Sequence, residues 1–149
     1  MLFRSGKPVV GFSSLAMLAM NLPWSSCQVC PMFDARKKEV YTALYRCTDL
    51  PLVVSPDCVV APTEILQQIK DPTIFVGEGA VRYRDVITAS VGELARFAPW
   101  SHHQPRASAG ALLAADAFSR GEFIPLAALN PVYIRLSEAE LVKLKRDSI

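Results

Sequence analysis

The chain has 149 residues, of which 51% are hydrophobic and 20% are charged, and its formal net charge at pH 7 is +2. This composition excludes a disordered protein and indicates one globular domain, or one domain and part of another. The nearly balanced charge argues against an extensive nucleic-acid-binding face, because such a face needs clustered lysine and arginine.

The first predicted elements are a short apolar strand at residues 8–12 and a helix at residues 14–20, with Ser13 as its N-cap. The same apolar run follows Arg4 and Lys7, so a secretory signal peptide is the alternative. Small and polar residues interrupt the run and no small-x-small cleavage motif follows it. We therefore favour the helix and expect a cytoplasmic protein. No segment reaches the length of a membrane span.

A β-hairpin is predicted over residues 32–45. Its arms, Met32-Phe33 and residues 40–45, are rich in β-branched and aromatic residues, while the residues between them are almost all charged. Both faces of the second arm are apolar or aromatic, which predicts a strand in the interior of the sheet. The basic run Arg36-Lys37-Lys38 has two interpretations, a solvated hairpin tip, which we favour, and a contact with phosphate.

The rest of the chain predicts short strands alternating with helices. Strands are predicted at residues 52–54, 59–61, 73–76 and 132–134. Helices are predicted at residues 64–70 with Thr63 as cap, at 80–89, at 107–120, and at the chain end after a capping box of Ser137 and Glu140. The 107–120 helix is expected to bury Ala111, Leu112, Ala115 and Phe118. Residues 92–104 are expected to be irregular and residues 124–129 to form an extended linker.

Four cysteines are candidate zinc ligands: Cys27, Cys30, Cys47 and Cys58. The first two form a Cys-x-x-Cys pair, but a zinc site needs a second pair, which neither the other cysteines nor the adjacent His102 and His103 supply. A redox pair would prefer a helix N-terminus, whereas Pro31 and a strand follow this one. We therefore predict buried or edge thiols and no bound metal.

The strand, turn and helix around Gly77-Glu78-Gly79 form the kind of arrangement that binds phosphate or nucleotide in many α/β proteins. The motif has only two glycines, and Glu78 places a negative charge where an anion would bind. We therefore favour a tight structural turn over a nucleotide site. Asp34 and Glu39 flank the hairpin tip, but nothing in the sequence places this carboxylate pair in a cleft. His102-His103 lies in a polar loop flanked by prolines. We assign no residue a catalytic, cofactor-binding or metal-binding role and expect no cofactor.

Four motifs, in this order along the chain, resemble the TsaB (YeaZ) family. They are residues 6–11 leading into Ser13-Ser14, Asp34-Ala35-Arg36 followed by Glu39-Val40-Tyr41, residues 76–80 with Tyr83, and residues 130–135 with their Pro-x-Tyr-x-Arg pattern. The resemblance implies an α/β fold of the actin/Hsp70 type (ASKHA, RNase H-like). Residues 1–26 would be a remnant of the first domain, and residues 27–149 would form the second domain, with a mixed sheet, flanking helices and a C-terminal helix. The family's opening strand with Asp-Thr-Ser is not present before Gly6, which implies a truncated first domain.

The resemblance also implies a function. TsaB-like proteins are non-catalytic partners of TsaD in forming threonylcarbamoyladenosine (t6A) at the tRNA adenosine beside the anticodon. We therefore expect TsaD and the small ATPase TsaE as partners, contact with tRNA only indirectly through that complex, and no membrane. Self-association through the first thirty residues is also expected, because Leu15 and Leu18 would lose part of their cover. Two enzyme alternatives stay open, a glycoprotease-like metallopeptidase and a nucleotide-binding enzyme of the same fold.

Overall fold

The computed structural model describes residues 7–132, 134 and 135, which build a five-stranded mixed sheet with helices on both faces. The strands are β1 (Gln28–Asp34), β2 (Val40–Cys47), β3 (Pro51–Val60), β4 (Thr73–Val76) and β5 (Ala95–Phe97). Their order is β3-β2-β1-β4-β5, with antiparallel pairing among β1, β2 and β3 and parallel pairing of β4 with β1 and with β5. The helices are α1 (Ser14–Ala19), α2 (Pro62–Leu66), α3 (Glu78–Arg82), α4 (Arg84–Val91) and α5 (Ala107–Ser119).

Strand β2 is buried on both of its faces. Val40 and Leu44 belong to a core cluster shared with α2, α3 and α4, and Ala43 and Tyr45 belong to a second cluster shared with α1. The side chains of a strand alternate between the two faces of the sheet, so the apolar residues of β2 serve both clusters. The predicted hairpin and the predicted interior position of its second arm are confirmed.

Helix α1 packs on the same sheet. The Ser13 side chain caps it by accepting hydrogen bonds from the backbone N–H groups of Leu15 at 3.1 Å and Ala16 at 3.3 Å, as predicted. Leu15 and Leu18 are 1% and 0% exposed, so the uncovered stripe that motivated the expected self-association is absent from this helix. The domain boundary at residue 26 stays a prediction, but α1 contributes to the core of this sheet.

The strand predicted at residues 8–12 is wrong. Residues 7–13 form no strand in the structure, and the Val9 carbonyl accepts a hydrogen bond from the Ile124 N–H at 2.8 Å. A strand exists only through pairing with a neighbour, and β3 and β5 rather than this segment form the sheet edges.

Strand β3 is continuous where two short strands were predicted. Pro56 lies between the two predicted strands, and a proline usually ends a strand, but β3 lies at the sheet edge, where a proline can face away from the single neighbouring strand. The register between β2 and β3 also shifts between Thr42 and Tyr45, which lets an irregular edge continue as one strand.

Several helix boundaries differ from the predictions. Helix α2 begins after Ala61 without a side-chain cap from Thr63, because Pro62 fits the first turn, and it ends before residue 70. The helix predicted at residues 80–89 is two helices, α3 and α4, which meet at Tyr83. The segment predicted to be irregular contains β5, and residues 124–129 contain the short 3-10 turn Leu126–Ala128.

Helix α5 is confirmed, but its predicted buried face is wrong. The buried residues are Ala109, Gly110, Leu113 and Ala117, whereas Leu112 and Phe118 are more than half exposed. The helix is apolar around much of its circumference, so the pattern alone does not select one face. The strand predicted at residues 132–134 is absent at Val132 and Ile134, and Tyr133 and the predicted terminal helix lie outside the described residues.

Within the part of the chain that the structure describes, no helix is both long enough and apolar enough to cross a membrane.

Candidate functional site

A cavity of about 660 Å³ opens at the carboxyl ends of the parallel strands β1, β4 and β5. In α/β sheets, ligands bind at this end because the loops that follow neighbouring strands meet there. The end of β1 and the segments that follow β1, β4 and β5 form the lining, which consists of Asp34, Arg36, Glu78, Val81, Arg82, Trp100, His103 and Gln104. This cavity is the candidate site.

The glycine turn after β4 is shaped by packing. Gly77 has a φ of +108°, and a Cβ atom at this position would lie 2.2 Å from the backbone oxygen of Met32 and 2.8 Å from the Leu18 side chain. A Cβ at Gly79 would lie 3.0 Å from the same oxygen. The two glycines therefore let the turn approach the backbone of β1, which supports the interpretation as a tight structural turn.

The His103 side chain is hydrogen-bonded to the backbone amide of Gly77, the group that a bound phosphate would need. Its Nδ1 accepts a hydrogen bond from the Gly77 N–H at 3.0 Å, and its Nε2 lies 3.1 Å from the carbonyl oxygen of Ala98. Nδ1 also lies 3.2 Å from the Gly77 carbonyl oxygen, so both ring nitrogens of His103 contact backbone groups. Sequence reasoning assigned His103 no role, and its partner lies 26 residues away in the chain, so local sequence carries no signal for this contact.

Asn21 ties α1 to the same loop. Its side-chain amide donates to the carbonyl oxygens of His102 and Gln104, both at 2.8 Å. The loop after β5 is therefore held from two sides, by the glycine turn and by the end of α1.

The charged side chains of the cavity are partly paired with each other. The Asp34 carboxylate contacts the Arg82 guanidinium at 3.2 Å and also accepts from the backbone N–H of Arg36 at 3.1 Å. Trp100 is 89% exposed at the cavity mouth. The site therefore offers arginines and an open indole, a combination that suits an anion attached to a planar group.

The carboxylates of Asp34 and Glu39 are directed to different arginines. Glu39 pairs with Arg135, whose guanidinium also donates to the Ala35 carbonyl at 2.7 Å and lies 5.8 Å from the centre of the Tyr41 ring. The two carboxylates therefore do not form the acid/base pair considered from the sequence. The structure does bring together two of the four family-like motifs, the hairpin and the terminal Pro-x-Tyr-x-Arg segment.

A second polar cluster joins α1 to the sheet. Asp57 accepts hydrogen bonds from the Ser13 hydroxyl at 2.5 Å and from the Tyr45 hydroxyl at 2.7 Å. Burial raises the pKa of Tyr45, and its hydrogen bond to Asp57 raises that pKa further. Both partners are donors to a carboxylate that lies between them, so this cluster stabilises the junction of the helix with β2 and β3.

The cysteines are free thiols in separate positions. Cys30 and Cys47 are buried, Cys58 lies in edge strand β3, and Cys27 is partly exposed just before β1. Burial raises the pKa of Cys30 to about 12 and that of Cys47 to about 11, so both stay protonated at neutral pH. Among the described residues, no group of three or more histidine, cysteine, aspartate or glutamate side chains is placed to hold a metal ion.

Comparison with known proteins identifies one curated relative and related solved structures. The tRNA threonylcarbamoyladenosine biosynthesis protein TsaB of Bacillus subtilis (strain 168) is 32% identical over 137 residues, which cover 89% of this chain and 58% of that protein. No family model matches the chain.

Two solved structures share the fold. YeaZ from Pseudomonas aeruginosa aligns with a TM-score of 0.66 and 24% identity over 86% of this chain and 60% of that one. A protein described as uncharacterized with similarity to peptidase YEAZ from Pseudomonas aeruginosa aligns with a TM-score of 0.69 and 23% identity over 87% and 60%.

The chain spans about three fifths of the length of these relatives. The predicted α/β fold with a mixed sheet and flanking helices is confirmed, and the two solved structures share it. Over the aligned part of the chain, the resemblance to the TsaB (YeaZ) family that the four motifs indicate is confirmed as well.

Proposed function

We propose that this chain is a non-catalytic subunit that supports TsaD in forming t6A on tRNA. The observation that carries the proposal is the 32% identity to B. subtilis TsaB, a protein named for threonylcarbamoyladenosine biosynthesis, over 89% of the chain. TsaD and TsaE are the proposed partners, and the cytoplasm is the proposed location. Residues 1–26 are proposed to derive from the first domain and residues 27–149 to form the second.

The contacts in the candidate site support a non-catalytic role. The Gly77 N–H binds His103, and the Asp34 carboxylate binds Arg82, so groups that would otherwise bind phosphate or move a proton have partners within the fold. A catalytic base needs a free lone pair within reach of a substrate proton. His103 instead uses both ring nitrogens for backbone contacts.

The proposal is tested by reconstituting t6A formation from purified TsaD and TsaE of the same organism, with and without this chain. Mass spectrometry of the tRNA nucleosides measures t6A, which we expect to form only when the folded chain is present. The variant Leu44→Asp, which we expect to be unfolded, is the control and should give the level seen without the chain. Equal t6A in all three reactions would contradict the proposal.

The enzyme alternatives are tested on the isolated chain. A peptidase or phosphotransferase would release peptide fragments or consume nucleotide without TsaD. We expect neither product from the chain alone, and either product, lost in the His103→Ala variant, would replace our proposal with an enzymatic one.

A further inference from the structure

The tip of the β1–β2 hairpin has an unusual backbone. Arg36, Lys37 and Lys38 are consecutive non-glycine residues with φ values of +62°, +50° and +64°. The Glu39 N–H donates to the Arg36 carbonyl at 2.9 Å, so the two lysines are the central residues of a tight turn. Positive φ at both central positions favours Asn-Gly, because a Cβ atom is strained in the left-handed region. Lysine is therefore a poor choice for this turn on backbone grounds.

Surrounding contacts hold the strained tip in place. The Ala35 N–H donates to the Glu39 carbonyl at 2.9 Å, the Arg36 N–H donates to Asp34, and Arg135 donates to the Ala35 carbonyl. Strained residues that their surroundings fix in this way are found at functional sites. Here the fixed backbone presents three exposed basic residues.

An exposed aromatic side chain lines the same cavity as one of these cations. Trp100 and Arg36 line the same cavity, together with Arg82. We define the tip surface as Arg36, Lys37, Lys38, Arg82 and Trp100. The cavity lining contains two carboxylates, Asp34 and Glu78, and two guanidinium groups, Arg36 and Arg82, of which Arg82 is paired with Asp34. The exposed Lys37 and Lys38 of the tip give the tip surface its excess of positive charge.

We propose that the tip surface binds single-stranded RNA directly, with phosphates on the basic tip and an unstacked base on Trp100. RNA places a phosphate beside each base, which matches a row of cations beside an open indole. A duplex keeps its bases stacked and would leave Trp100 without a partner, and an acidic peptide would satisfy the cations alone. The inference goes beyond the proposed function, which needs no direct RNA contact, and rests on it only in expecting a tRNA loop as the natural RNA.

The binding test uses the full chain carrying Trp24→Phe, so that Trp100 is the one tryptophan of its sequence. Titration with an unstructured RNA decamer in 50 mM salt should quench Trp100 fluorescence. With three or four phosphate contacts, the logarithm of the affinity should fall against the logarithm of the salt concentration with a slope of about −2 to −3.

Matched variants separate the tip surface from charge in general. Anisotropy of a fluorescein-labelled decamer should show at least about fivefold weaker binding for Lys37→Asn with Lys38→Gly, a change that suits the turn but removes two cations. Trp100→Ala should bind about tenfold more weakly through lost stacking. The control, Lys70→Gln with Arg96→Gln, removes the same charge at exposed sites elsewhere and should change the affinity less than about twofold.

The inference is overturned by the absence of quenching, by an equal loss in the control variant, or by tighter binding of duplex RNA. Quenching by a polyglutamate peptide as strong as that by RNA would assign the surface to an acidic protein instead. RNA binding by a chain that does not affect t6A would contradict the proposed function alone. A chain that supports t6A without binding RNA would contradict this inference alone.

Discussion

The two parts of the β1–β2 hairpin differ in burial and in backbone geometry. The hairpin body, which is β1 and β2, is covered on both faces and has ordinary strand pairing. The tip, residues 35–39, is mostly exposed and contains three non-glycine residues with positive φ. Burial explains the residues of the body, whereas the two lysines of the tip are exposed and lie at strained backbone positions. The body therefore contains residues that maintain the fold, whereas the tip contains basic residues whose presence burial does not explain.

The largest effect is expected from a charge in the hairpin body. Leu44→Asp places a carboxylate at a position that is 2% exposed, among apolar residues of the core cluster that includes Ile65 and Phe75. The expected cost exceeds about 4 kcal/mol, which is enough to unfold a domain of this size. Circular dichroism should show no cooperative thermal transition.

The control for this change is Leu52→Asp in edge strand β3, where the side chain is 57% exposed. Its melting temperature should stay within a few degrees of the parent value. A cooperative melt of Leu44→Asp near that temperature would show that the hairpin body is not the core of the fold.

A smaller loss is expected for Leu18→Ala in α1, which covers the hairpin body. Leu18 is completely buried, so the truncation leaves a cavity and should cost about 2–5 kcal/mol by denaturant unfolding. Leu112→Ala on the exposed side of α5 is the control and should cost under about 1 kcal/mol. Equal costs would mean that α1 does not belong to this core and would favour a domain boundary that separates it from the sheet.

The hairpin body was predictable because its information is local. The alternation of apolar residues in β2, the run at β4 and the Ser13 cap each lie within a few residues of sequence. Strand β5 was missed because three residues carry too little pattern, and β3 was divided because Pro56 is a strand breaker everywhere except at an edge. Edge position is a property of the sheet, which the sequence does not display.

The candidate site was harder to predict because tertiary contacts build it. The Gly77 turn was recognised, but its hydrogen bond to His103 and the pairing of Glu39 with Arg135 join residues 26 and 96 positions apart. The exposure of Trp100 likewise depends on how three loops meet at one end of the sheet. The four family-like motifs could be recognised in order along the chain, but their sequences do not show that Gly77 contacts His103 or that Glu39 pairs with Arg135.

Alkaline pH should destabilise the hairpin body through Cys30. Burial raises the pKa of this thiol to about 12 from the ordinary 9.0, so the folded state disfavours the thiolate. The stabilisation is complete below pH 9 and is lost as the pH rises from 9 toward 12, because the unfolded thiol ionises first. The contribution of Cys30 to the free energy of unfolding should fall by about 1 kcal/mol by pH 10, and Cys47, whose pKa burial raises to about 11, should add a loss of similar size. Urea titrations at pH 8 and pH 10 measure this fall. The variant Cys30→Val keeps an apolar side chain and should lose less free energy of unfolding between the two pH values. Equal losses in the variant and the parent would contradict the role assigned to Cys30.

The smallest effect is expected for a change in the tip, and this change should raise the free energy of unfolding rather than lower it. Lys37→Asn with Lys38→Gly places Asn-Gly at the two central positions with positive φ, which relieves about 1.5 kcal/mol of left-handed strain in total, mostly at position 38 because glycine has no Cβ atom. Glycine also gives the unfolded chain more freedom, which costs about 0.5–1 kcal/mol. The net result should be a stabilisation of about 0.5–1 kcal/mol, measured as a higher urea midpoint with an unchanged slope.

The matched control for the tip is Lys37→Arg with Lys38→Arg, which keeps both charges and both Cβ atoms and should leave the midpoint unchanged. A destabilised Asn-Gly variant would show that the lysine side chains contribute more to stability than their backbone strain costs, and the contrast between tip and body would then disappear. A stabilised variant that binds RNA more weakly would show that these lysines reduce stability at the position where they supply binding, which is the trade-off expected of a functional surface.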